Sequence, residues 1–210
     1  MLVVSDDYNC QKLYDLVDTL QKFIHGTDVN KNTANTSAEF KEERALFTHN
    51  RLYYADNHLK DVSFIYTILP CPKYNDEQDG YLTVVGNPVT LWGIMSDPTA
   101  EEQTKYSAVM EVLAYHGYSQ TTPAIFEVNY KAKHSESDEA SMMFDYIRNG
   151  VRHDLARIFP TDLLSANMIE LVTAVIWNNE SWASMYGTYA RGIKKKLGKV
   201  VEAYEALQDS

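Results

Sequence analysis

The doublet His153-Asp154, inside VRHDLARIFP (residues 151–160), is the part of this chain that most resembles a metal-hydrolase ligand set. Adjacent His and Asp hold metal ions in some hydrolases when a further His and a further Asp converge on them. Local geometry argues against that role here. Successive residues of a helix turn by about 100°. If residues 138–159 are helical and Val151 centres the apolar face, then Phe144, Ile147, Leu155 and Ile158 share that face. His153 then points about 160° away, toward solvent. Asp154 lies at the margin, beside Arg157 three residues on. The doublet therefore reads as helix surface. His25, His49, His58, His116 and His134 stand outside any motif, and HExxH, CxxC and the Ca²⁺-loop pattern are absent.

A second candidate is EFKEER, where Glu39 and Glu42 are three apart with Glu43 beside them. Pairs of this spacing bind Mg²⁺ in all-helical nucleotide pyrophosphatases when a second acidic pair faces them. Glu136 and Glu139 have that spacing but flank a loop. A solvated acidic turn near a helix start, favoured by the helix dipole, accounts for both pairs. The phosphate loops GxGxxG and GxxxxGK[ST] and the GxSxG nucleophile elbow do not occur. No cofactor is implied. The reading leans away from an enzyme, with a metal-dependent hydrolase or nucleotide-processing enzyme, its groups converging only in space, kept as an alternative.

The elements that would position such groups come next. With 210 residues the chain has room for one domain with a full core. MLVVSDDYNC carries neither a basic stretch nor a long apolar run, so no signal peptide is read. Cys10 and Cys71 are expected as reduced thiols in a cytoplasmic protein, in a host cytoplasm or virion if the source is viral. No apolar run reaches membrane-spanning length, so no membrane is expected. Net charge is −10, which opposes broad nucleic-acid binding. Residues 181–210 differ, with five basic side chains against three acidic ones, and only the local face 191–199 could touch nucleic acid.

Cys10, Leu13, Val17, Leu20 and Ile24 predict a helix over about 7–25. Residues 27–37 predict a polar loop, and Thr36 with Glu39 a capping box. RLYYA, VSFIYTIL, YLTVV and VTLWGIM, rich in aromatic and β-branched residues, predict strands, with a turn at Gly86-Asn87-Pro88. Asp97-Pro98 opens a helix whose apolar face is Tyr106, Val109, Met110 and Leu113, ending at Gly117. PAIFEVNYKAK (123–133) reads as a further strand. Helices then cover 138–159 and 162–178, the latter central and buried, and a last helix runs to Leu207.

The expected fold is therefore α+β: N-terminal helices (1–45), a small antiparallel sheet with long loops and one helix (46–133), and a helical C-terminal region (134–210). The last helix carries a stripe of Trp182, Tyr186, Tyr189, Ile193, Leu197, Val200, Tyr204 and Leu207 at spacings of three and four. Arg191, Lys195 and Lys199 line another face. Packing on its own core is one reading of this helix, and docking on a partner or a second subunit is the other. Tyr53, Tyr54 and Trp92, placed on strands, join Trp182, Tyr186, Tyr189, Arg191, Lys195 and Lys199 as interface candidates. Tyr53 and Tyr54 would point to opposite sides of a regular strand. The expected function is a non-enzymatic interaction or assembly protein, binding a protein partner or forming a homo-oligomer. The Asn-, Tyr- and Asp-rich texture suits a bacteriophage protein, either a virion connector or neck-type subunit or an inhibitor of a host defence protein.

Overall fold

The computed structural model describes residues 4–26, 36–86, 92–95, 98–153 and 165–208. It is mostly helical, which overturns the α+β expectation. The one sheet among the described residues is a parallel pair of two-residue strands, β1 (Thr83–Val84) against β2 (Val151–Arg152). The helices are α1 (Gln11–Ile24), α2 (Thr36–Lys41), α3 (Tyr53–His58), α4 (Ala100–His116), α5 (Ala132–His134), α6 (Asp138–Asn149), α7 (Ser165–Asn178) and α8 (Trp182–Gln208). The chain divides into two compact units, residues 1–62 with 154–210, and residues 63–153.

In the first unit α1 packs on α7, and both contact α8. The 3-and-4 spacing read in α1 puts Val17 in the core, with Leu13, Leu20 and Ile24 packed against it. The other core members are Leu171, Val175, Ile176 and Trp182. Tyr8 meets the Trp182 ring edge-on at 5.5 Å, and Tyr186 stacks on the same indole at 5.8 Å. Burial, and repulsion from Tyr186, push the Tyr8 hydroxyl well above its usual pKa.

The α7–α8 turn is held from α1. Asn179 takes φ 57°, a left-handed value that Asn tolerates. Glu180 N–H donates to Val175 O at 3.0 Å, and Asn179 N–H to Ile176 O at 3.4 Å, closing a Schellman-type end. Gln21 Nε2 donates to Val175 O and Glu180 O, and His25 Nε2 to Ile176 O. Val175 O and Ile176 O thus each accept a side-chain bond from α1 in addition to the backbone bond of the turn.

In the second unit, helical backbone runs unbroken from Ala100 to His134, through wide π-type turns at Gly117–Thr121 and Ala124–Lys131. Gly117 does not end the helix, and 123–133 is not a strand. Pro123 cannot donate an N–H, and wide turns next to such breaks are a common accommodation. Tyr130 stacks on Phe144 of α6 at 6.0 Å, and Ile147 and Ala140 are buried nearby in sequence on α6. Lys131 Nζ lies 2.7 Å from Asp145 and 2.8 Å from Glu127. Those two partners, Asp145 first, hold its ammonium above the usual range. Ser137 caps α6 by accepting from Ala140 N–H.

RLYYA and VSFIYTIL do not form strands either, whereas YLTVV supplies the two residues of β1. Tyr53 and Tyr54 begin α3, a helix. In 61–70 exposure alternates residue by residue, as in an extended chain, yet no ladder forms. Aromatic and β-branched residues fit a half-buried extended surface but do not supply a hydrogen-bonding neighbour. The helix expected over 138–159 ends at Asn149, and Val151 lies in β2. The turn at Asn87-Pro88, Asp97, the Asp154–Arg157 pair, Pro160 and the start of the 162–178 helix lie outside the described residues, as do the polar loop at 27–35 and the Thr36 side chain.

Candidate functional site

A capping box starts α4. Thr99 Oγ1 accepts from Glu102 N–H at 3.3 Å, and Thr99 N–H donates back to the Glu102 carboxylate at 3.0 Å. The cap is thus Thr99, with Pro98 ahead of it. Hydrogen bonds from the Thr99 side chain and then its backbone hold the Glu102 carboxyl below its usual range. Lys105 pairs with Glu101 one turn back at 2.7 Å.

These local signals form a helix that no core covers. None of its 17 residues is buried. On one face, Val109 is 58% exposed, and Tyr106 and Leu113 are exposed beside half-buried Met110. Farther round the helix Val112, about 60° from Val109, is 54% exposed, and Tyr115, on the opposite face, is 64% exposed. An amphipathic surface helix would keep its apolar residues to one stripe and bury it. Residues Trp92–Met95 run alongside the first face and leave an apolar groove of ≈310 Å³ between Trp92, Ile94 and Met95 and the helix. Trp92 is 71% exposed there, in irregular backbone, not on the expected strand.

The remaining sequence candidates are placed differently. Tyr53 is exposed, and Tyr54 stacks on His58, one helical turn away, at 4.1 Å. Trp182, only 3% exposed, is a core residue of the first unit, and Tyr186 packs half-buried beside it. Tyr189, Arg191, Lys195 and Lys199 are exposed on α8. That helix is continuous through Gly187, Gly192 and Gly198. Ile94, Met95, Val112, Tyr115 and Tyr118 were not singled out by the sequence. For Val112 and Tyr115 the signal was the spread of apolar residues round α4.

Two polar candidates give little chemistry. A cleft of ≈470 Å³ at the start of α6 is lined by Glu127, Lys131, Ala132, Ser135, Glu136, Ser137, Asp138 and Ser141, with no His or Cys. Glu139 beside it accepts from its own N–H and from Ser137, which hold its carboxyl below the usual range. Of the acidic pair at α2, Glu42 is salt-bridged to Arg44 at 2.7 Å. His153 is exposed just after β2. Among the described residues, no three His, Cys, Asp or Glu side chains are grouped to hold a metal ion, and no helix is long and apolar enough to cross a membrane. The chain matches no protein-family model, no curated protein and no solved structure.

Proposed function

We propose that this chain is a non-enzymatic protein–protein interaction or assembly protein. The observation that carries the reading is α4, with exposed apolar residues spread round it and none of its residues buried. Contiguous exposed apolar surface of this kind marks interaction sites in folded proteins. The exposed Tyr189 and the Arg191, Lys195 and Lys199 row on α8 offer a second, polar contact surface, of the composition seen at interface rims. A bacteriophage virion connector or neck-type subunit is the setting we favour. An inhibitor of a host defence protein, acting in the cytoplasm, would use the same surface.

The test is photo-crosslinking inside producing cells. A photoreactive residue at Tyr115 is expected to give one discrete protein adduct, and one at exposed Lys60 none. If Tyr115 yields no more than Lys60 does, the reading falls.

A further inference from the structure

We infer that the groove between α4 and Trp92–Met95 is closed by a second copy of the chain, whose own α4 lies antiparallel against it about a two-fold axis. This inference rests on the interaction reading above and names the partner for one of its surfaces.

The first argument is area. Trp92, Ile94, Met95, Tyr106, Val109 and Leu113 are between 40% and 77% exposed. At about 200 Å² per large side chain, they leave on the order of 700 Å² of apolar surface in water. The largest patch on an ordinary monomer is about 300–600 Å². Each partner in a standard stable interface contributes about 800 Å², and flanking Gln103 and His116 supply the remainder.

The second argument is self-complementarity. A two-fold interface must present the same patch on both copies. The row Tyr106, Val109, Met110, Leu113 has spacings of 3, 1 and 3, which read the same in both directions. In the antiparallel pair Tyr106 of one copy opposes Leu113 of the other, and Val109 opposes Met110. The antiparallel order also avoids like-charge repulsion. The acidic first turn, Glu101 and Glu102, meets the other copy's His116 end, and no acid occurs between Glu111 and Glu127. A parallel pair would instead set Glu101 and Glu102 against their own copies.

Light scattering across a range of concentrations is expected to show a dimer. Val109→Lys/Leu113→Lys should convert it to a monomer with unchanged far-ultraviolet circular dichroism. Register is read by single cysteines in a Cys10→Ser/Cys71→Ser background, treated with a short bis-maleimide. Val109→Cys, beside the axis, should link to its own copy. Gln103→Cys should not, because thirteen residues of rise separate the two copies by about 20 Å. A wild type that is monomeric throughout, a dimer that survives the double lysine variant, or linking at both cysteines overturns the inference. A monomer whose Tyr115 probe still captures another protein would sink the two-fold pairing and leave the interaction reading standing.

Discussion

Gly150 shows how narrow the tolerance is at single positions. It joins α6 to β2, and its carbonyl accepts from Thr83 N–H at 2.9 Å. A Cβ there would sit 2.5 Å from Tyr81 O and 2.9 Å from Tyr146 O. Both are backbone atoms, which cannot swing aside as a side-chain tip can. Gly150→Ala is expected to cost about 2 kcal/mol, read as a lowered urea midpoint. Tyr8 gives a pH signature. Its hydroxyl has a folded pKa raised above the ordinary 10.0, so the native state holds the proton more tightly than the unfolded chain. The resulting stability is fully present below about pH 10 and is lost as pH rises toward the folded value. Urea midpoints of the wild type should therefore fall more steeply above about pH 10 than those of Tyr8→Phe. Equal slopes would mean that the ring is not desolvated in the core.

At the scale of elements, α8 and α6 make opposite predictions. Gly187, Gly192 and Gly198 have ordinary negative φ, and a Cβ at any of them meets nothing within 4 Å. Each replacement by Ala should raise stability by about 1 kcal/mol, seen as a higher melting temperature that accumulates across the three. Ser137→Ala removes the α6 cap and should cost about 1 kcal/mol, seen as a lower urea midpoint. The sequence made some of these elements plain. The periodicity of α1 needs only local information, because a helix satisfies its own backbone. The strands were misread for the converse reason. A strand needs a neighbour, and nothing in RLYYA or VSFIYTIL states whether one will arrive. The segment 123–133 held a helical signal, Phe126 and Tyr130 one turn apart and Glu127 with Lys131 likewise, but its alternation masked it.

For the whole molecule, the scattered histidines and carboxylates set the expectation. A bound ion stabilises the native state by mass action. Mg²⁺, Mn²⁺ and Zn²⁺ are each expected to leave the melting temperature unchanged. A saturable rise would point to a metal site and weaken the assembly reading. The candidate surface was half legible in advance. Trp92 and the Tyr106, Val109, Met110, Leu113 face are visible in the sequence, but their exposure is not, since the same row in a core would look identical. Trp182 is the reverse case, an aromatic that suits an interface equally well and is spent inside its own unit.

The sequence by itself determined the periodicity of α1, the charge balance and the absence of common cofactor motifs, all properties readable from residue types and local spacing. Tertiary structure decided which apolar rows found partners. Val17, Val175 and Trp182 met one another, while Tyr106, Val109 and Leu113 did not. Burial depends on what chain lies opposite, and that is a property of long-range packing that no local spacing encodes.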